Sequence, residues 1–496
     1  MQRGKGGVLN KNLQKFVYVC MTWLFAFLCR QPLMKIQDVT IKFPHLPEKI
    51  LKKLNNESLF KCREVARSWQ NIIDERNYPW LRIVSIPTIL GSGIHLAAGT
   101  GQIEAFKTAL NVEENKNIRT VCDETSFHIA CRKGRIKIVQ LLMKNTASEI
   151  AINEKNDLGI DLNAKTKEGW TGFDLACFEG HLDVIKILMK NAATLAIDLN
   201  TKDNDGATGF HQACYQGHLD VVKIFMENAA TLNLDLNAKA NNGVPAFQLA
   251  CKEGHTDVVQ MFMENAAALT LDLNSKDNKD LTGFHYACKE GHSDVVKIFM
   301  ENACALSIDL NTKDKNKDGN GSSFTAFHYA CHNGHSDVVK IFMENAATLR
   351  IDLNAKDSHD EPAFHHACRE GHTDLVKIIM ENSRDLDINP SDEHGFTGFH
   401  AACVEGQSGV VKLFMENACA WSIDLNSKDA SGATGFSYAC SEGHSDLVEI
   451  FMDNACAFSI DLNSKDEDGK TGFNYARHSN VLKVFMEYGF SESGFL

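Results

Sequence analysis

Residues 208–237 read TGFHQACYQGHLDVVKIFMENAATLNLDLN, and close copies of this stretch lie on both sides of it. Phe173, Phe210, Phe247 and Phe284 follow one another at intervals of 37 residues, and the same interval returns from Phe327 to Phe364 and from Phe399 through Phe436 to Phe473. A fixed period of this size specifies a stacked repeat array, so it settles the architecture before any other feature.

The unit has a physical reading. Thr208-Gly209 is a turn signal, and His211 to Tyr215 forms a first short helix whose Ala213 and Cys214 allow close packing. Gly217-His218 breaks that helix. Val221, Val222, Ile224, Phe225 and Met226 then make an apolar stripe near helical spacing. Asp220 falls in the first turn of this second helix, where a carboxylate favours the positive helix end. Asn228 follows the stripe and is expected to end the helix in the left-handed conformation. Two short helices cannot bury both apolar faces alone, and stacking neighbours does so.

TGFHQAC, GHLDVV and LDLNAK resemble the ankyrin repeat pattern T-P-L-H-x-A-A, G-H-x-x-V-V and D-V-N-x-K-D. The departures are regular: Phe for Leu, Gly or Ala for Pro, and Cys for the second Ala. Each unit is also about four residues longer than the family's usual length, which is about one helical turn. The surplus falls between Asn228 and Asp235, where a longer second helix or loop on one rim is expected. The resemblance covers residues 91–489 and implies an all-α solenoid of about eleven helix-turn-helix units with hairpin fingers.

The chain has 496 residues and a net charge of −13, unevenly spread. Residues 1–90 hold 15 Lys and Arg against 6 Asp and Glu, and the remainder holds 36 against 58. The acidic array is a poor nucleic-acid ligand, because phosphate affinity needs a clustered basic surface. Nine of the 16 Cys share one phase: Cys131, Cys177, Cys214, Cys251, Cys288, Cys331, Cys368, Cys403 and Cys440. Stacked equivalents lie about 10 Å apart, too far for disulfides. They read as small buried residues in a reducing compartment, and Cys304, Cys419 and Cys456 in a second phase read the same way.

Residues 1–42 are an N-terminal extension, basic at first and then apolar from Phe16 to Cys29. That run imitates a signal peptide or anchor but is short for a bilayer span, which takes about 20 residues. Residues 43–82 differ from the repeats. Ile50, Leu51 and Leu54 form one apolar face, and Leu59, Cys62, Val65, Ala66, Trp69 and Ile72 form another. Leu46-Pro47, Ile50-Leu51, Ser58-Leu59 and Val65-x-x-x-Trp69 resemble the F-box, the helical motif that joins a substrate receptor to the adaptor Skp1. The resemblance implies that Leu46, Pro47, Ile50, Leu51 and Leu59 meet the adaptor, in a cullin complex. A plain helical cap for the solenoid is the competing reading.

The array begins near Gly91 with a degenerate unit. Its step from Phe284 to Phe327 is 43 residues, through the Gly- and Ser-rich KNKDGNGSSF. The last unit, TGFNYARHSNVLKVFMEYGF, reads as a cap, with residues 490–496 as a tail. One histidine ladder runs through His211, His285, His328, His365 and His400, and a second through His181, His218, His255, His292, His335, His372 and His444. One imidazole per stacked unit does not converge on an ion, so no metal is expected. The family implies that these rings bond loop backbone and neighbouring repeats. The Lys-Asp pairs, such as Lys202-Asp203, read as turn residues. No phosphate loop or activated nucleophile stands out, so no enzyme activity and no cofactor are expected.

Most repeat positions are nearly invariant between units. The residue after each periodic Cys varies: Phe178, Tyr215, Lys252, Lys289, His332 and Arg369. The residue two before that Cys also varies. The family implies that the first set lies on the concave face, where partners bind. The expected function is a non-catalytic substrate receptor of a Skp1–cullin ubiquitin ligase in the cytoplasm or nucleus. A plain scaffold, or one anchored to a membrane by residues 16–29, is the alternative.

Overall fold

The computed structural model describes residues 93–110, 118–120, 122–146, 160–315, 323–382 and 386–489. The extension, the apolar run 16–29, the F-box-like motif with Leu46, Pro47, Ile50, Leu51 and Leu59, the insertion residues 316–322 and the tail 490–496 lie outside them. All described residues belong to one compact unit, Ile83–Leu496.

Among the described residues the chain forms eleven helix pairs. Repeats 1 to 4 pair Gly93–Thr100 with Ile103–Leu110, Ser126–Arg132 with Ile136–Thr146, Gly172–Phe178 with Leu182–Leu195, and Gly209–Gln216 with Leu219–Asn228. Repeats 5 to 8 pair Ala246–Lys252 with Thr256–Leu269, Gly283–Glu290 with Ser293–Leu306, Ala326–His332 with Ser336–Leu349, and Ala363–Arg369 with Thr373–Glu381. Repeats 9 to 11 pair Gly398–Val404 with Ser408–Trp421, Gly435–Glu442 with Ser445–Asn454, and Gly472–Tyr475 with Ser479–Glu487. First helices pack on first helices of both neighbours, and second helices on second helices. Among the described residues there is no named strand, only isolated antiparallel bridges across fingers such as Lys239–Pro245 and Lys356–Pro362.

In repeats 2, 4, 6, 7 and 9 the first helix opens on a capping box in which His replaces the usual Glu or Gln. In repeat 6 the Thr282 hydroxyl lies 2.8 Å from His285 Nδ1, and the Thr282 N–H donates to the same nitrogen at 3.2 Å. Small residues fill the contact between first helices, with Ala213, Cys214, Ala250 and Cys251 fully buried. Behind them phenylalanines interleave: Phe210 meets Phe225 at 5.1 Å and Phe262 at 5.8 Å, and Phe247 meets Phe262 at 5.0 Å.

The surplus residues form an added turn of the second helix, which reaches 14 residues in repeats 3, 5, 6, 7 and 9. Asn228 and Asn454 are the last residues of the second helices of repeats 4 and 10 but do not take the left-handed conformation there. In repeats 3, 5, 6, 7 and 9 the helix runs on past the equivalent Asn. Asn191 and Asn265 donate their side-chain amides to the carbonyl four residues back, which suits a continuing helix. The left-handed residue comes five positions later, at Ala196, Asn233, Thr270, Ser307, Arg350, Ser422 and Ser459. Its carbonyl receives the side chain of the LDLN asparagine one repeat earlier. Asn274 donates to Ser307 at 3.0 Å and accepts the Asp309 N–H at 3.0 Å, and Asn237 does the same with Thr270 and Asp272. The added turn therefore carries its own link between neighbouring repeats.

The nine periodic cysteines are buried and free, as their phase suggests. Cys304, Cys419 and Cys456 are exposed, contrary to expectation. In the added turn it is the preceding Ala303 that faces inward, so Cys304 points to solvent.

Candidate functional site

Both histidine ladders make structural hydrogen bonds, and the second holds the residues that follow the periodic Cys. Glycines such as Gly217 (φ 71°) end first helices in the left-handed region, and a Cβ there would also lie 2.4 Å from the ring of His255 in the next repeat. That ring reaches across the repeat boundary. Nε2 of His218, His255, His292, His335 and His372 lies 2.8 Å from the carbonyl of Phe178, Tyr215, Lys252, Lys289 and His332 respectively. The Gln407 amide does the same for Arg369. Every residue singled out for target binding thus has its backbone fixed by the following repeat.

Their side chains have varied surroundings. Tyr215 is 40% exposed, the most open of the large apolar side chains among the described residues of repeats 1 to 10. Phe178 is half-buried against Trp170, with ring centroids 5.1 Å apart. Lys252 lies 3.8 Å from Glu253, and Lys289 Nζ lies 5.2 Å from the centroid of Tyr329. His332 faces Glu370 at 3.5 Å. Arg369 donates both guanidinium ends to Glu361. The structure brings His332 and Arg369 into one neighbourhood. Phe178, Tyr215, Lys252 and Lys289 occupy successive steps of the stack.

The second varying position, two before the Cys, has a role that its variation concealed. Tyr286 donates to Asp277 at 2.7 Å, Tyr329 to Asp314 at 2.6 Å, and Gln212 to Asp203 at 3.3 Å. Each acceptor is the aspartate of a Lys-Asp pair or its equivalent. Its other oxygen takes finger N–H groups, as Asp277 takes those of Lys279 and Leu281 at 2.8 Å each. One carboxylate therefore closes the finger turn and ties it to the helix, which the sequence reading of the pairs as turn residues foresaw only in part. The lysine beside it links fingers: Lys202 donates to the Lys239 carbonyl at 2.9 Å, and Lys239 to that of Lys276 at 2.8 Å.

Repeat 8 departs from this pattern. His366 replaces the tyrosine and lies 3.2 Å from Asp357. Glu361 holds the position that is Ala207, Val244 and Leu281 in repeats 4, 5 and 6. Phe324 packs over His366 at 4.7 Å, and His332 comes within 6.0 Å of it. Glu361 and Arg369 border a depression that His359, Asp392, Glu393 and His394 complete. Burial pushes the Asp357 carboxyl up, but hydrogen bonds from His366 and from the N–H groups of Glu361 and His359 outweigh it and hold it at about 2. Asp357, Glu361 and His366 could together hold a cation.

Among the described residues no helix is long and apolar enough to cross a membrane. A family model described as ankyrin repeats (3 copies) matches residues 94–200, 192–277, 265–357 and 349–429. No curated protein matches the chain.

Proposed function

Because the chain belongs to the ankyrin repeat family, we propose that it is a non-catalytic protein-binding scaffold whose first-helix and finger face captures a protein target. One observation carries this reading. At each step the backbone carbonyl after the periodic Cys is held by the next repeat's imidazole or amide, while the side chain on that residue changes from unit to unit. A rigid lattice with interchangeable side chains is preorganised for recognition, since little ordering entropy remains to be lost on binding. Phe178, Tyr215, Lys252, Lys289, His332 and Arg369 are the proposed contacts.

The finer reading is a substrate receptor in a Skp1–cullin ubiquitin ligase, acting in the cytoplasm or nucleus. It rests on the F-box-like spacing of Leu46, Pro47, Ile50, Leu51 and Leu59 in the sequence. Catalysis would belong to partner enzymes, with the scaffold raising the target's effective concentration. The division into an extension, residues 43–82 and the array 91–489 is part of the same proposal. Binding of purified Skp1 to the full chain, beside the full chain carrying Leu51→Ala and Leu59→Ala, tests it. Binding lost in the variant supports the receptor. No binding by the parent removes the ligase reading and leaves the scaffold, which Tyr215→Ala with Lys252→Ala then tests through loss of a captured protein.

A further inference from the structure

We propose that Asp357, Glu361 and His366 form a binding site for a divalent first-row metal ion such as Zn2+. The three offer one imidazole nitrogen and two carboxylate oxygens, the ligand types that such an ion takes. His366 Nε2 lies 3.2 Å from Asp357 Oδ2 and 3.8 Å from Glu361 Oε2, and all three ligand atoms fall within 4.8 Å of one another. A tetrahedral ion with bonds of about 2.1 Å separates its ligand atoms by about 3.4 Å, so small side-chain shifts would close the site. Among the described residues no other such group occurs.

The repeat lattice supplies an internal control. Repeats 6, 7 and 10 pair Tyr286, Tyr329 and Tyr438 with the finger aspartate, and none of them has an acidic residue where Glu361 stands. Repeat 2 has the Glu–Arg pair, Glu124 with Arg132, but Ile129 at the position of His366. Only repeat 8 combines both departures, and they converge on one carboxylate. The His366 and Asp357 side chains are 5% and 0% exposed, while Glu361 borders the open depression. The ligands are therefore fixed from behind, with an entry path in front. Asp357 is oriented through its second oxygen by the N–H groups of His359 and Glu361, an outer shell of the kind metal ligands use. On binding, the ring proton of His366 moves from Nε2 to Nδ1, so that a neutral imidazole presents its Nε2 lone pair, and the guanidinium of Arg369 turns away from Nδ1 and gives up one oxygen of Glu361.

Titration of the full chain with Zn2+ in a weakly chelating buffer, followed by calorimetry, tests the site, with Co2+ absorption as the coordination readout. One equivalent should bind, with a tetrahedral Co2+ spectrum. His366→Tyr restores the tyrosine–aspartate bond of the sister repeats, so its fold should hold while affinity falls about a hundredfold or more. Glu361→Gln, a second variant of similar shape, should lower affinity at least about tenfold. Absence of binding by the parent would overturn the proposal. So would weak uptake of several equivalents that persists unchanged in His366→Tyr, the behaviour of scattered surface histidines.

Discussion

Repeats 3 to 5 and repeats 7 to 9 are made from the same parts and hold themselves together differently. In the first group the rings run without interruption, Phe173 to Phe225 to Phe210 to Phe262 to Phe247, at 5.0–5.8 Å. In the second the run stops at repeat 8, where Ile379 stands in place of the outer phenylalanine, and resumes from Phe364 to Phe414 at 6.2 Å. Polar groups take over there. The capping-box position is Asp174, His211 and Gln248 in repeats 3 to 5, but His328, His365 and His400 in repeats 7 to 9, with His332 and His366 beside them. The difference shows that a repeat lattice tolerates two kinds of interface, one that is mainly apolar, with His211 as its single buried capping histidine, and one that is rich in histidine.

Acid is the strongest way to separate them. Burial holds His328 and His365 at about 4 against an ordinary value of 6.5, and it lowers His400 too. At His328 and His400 the Thr–His geometry explains why: Nδ1 accepts the N–H of Thr325 or Thr397, at 3.3 and 3.1 Å, and Nε2 donates to the carbonyl of Glu361 or Ser427. His365 instead follows Pro362 and keeps only its Nε2 bond, to the Pro390 carbonyl at 2.9 Å. A second proton has no acceptor. Between these values the unfolded chain binds more protons than the folded one, so stability is complete above about pH 6.5 and is lost as pH falls towards 4. His328 and His365 each cost about 3 kcal/mol across that window. Asp174 has the opposite sign, since burial raises it to about 6 and folding there takes up a proton. Amide hydrogen exchange at pH 7.5 and pH 5 should show Ala326–His332, Ala363–Arg369 and Gly398–Val404 losing protection well before Gly172–Phe178 and Ala246–Lys252. Equal loss in both groups would show that the histidines do not set acid stability.

Truncating the ring stack should have the next largest effect. Phe262 is 1% exposed and touches both Phe210 and Phe247. Phe262→Ala is expected to cost about 3–5 kcal/mol. Ile379→Ala, at the equivalent position in repeat 8, is expected to cost about 2–4 kcal/mol, because no aromatic pair is lost with it. Urea denaturation of both variants measures the gap, and a larger loss at Ile379 would mean that repeat 8 depends on its apolar side after all.

Much of this was legible from the period alone. Helix pairs recur in every unit, and the buried cysteine phase and the cross-repeat role of the Gly-His histidines in most, so each copy corroborates the last. Features that depend on where the chain folds back were not legible. Cys304 looked internal because its exposure is set by a helix that runs four residues past Asn302, to Leu306. Tyr286 and Tyr329 stood at a position that showed only variation, because their partners Asp277 and Asp314 arrive through a finger turn. Asp357, Glu361 and His366 are unremarkable as a string, and only the closure of the finger on the helix brings them within 4.8 Å. The F-box-like residues 43–82 fall outside the described residues, so their part in function stays with the binding test.

The smallest expected effect concerns the family departures themselves, Gly for Pro, Phe for Leu and Cys for Ala, which form one steric set. A Cβ on Gly172 would lie 2.6 Å from the Phe127 ring and 3.2 Å from Cys131 Sγ of the previous repeat. On Gly209 it would lie 3.0 Å from Cys177 Sγ and 3.2 Å from the Phe173 ring. The larger Phe and Cys occupy space that a residue with a side chain would need, so the Gly is their complement across the interface. Repeats 5, 7 and 8 carry Ala246, Ala326 and Ala363 at this position and have room for it. Gly172→Ala should therefore cost about 1–3 kcal/mol by overpacking, and Gly209→Ala less. Adding Cys131→Ala, which empties the space the new methyl invades, should recover part of the loss at Gly172. A thermal-melt cycle over the three variants measures that coupling. Strict additivity would mean that the three departures arose independently of one another's volume.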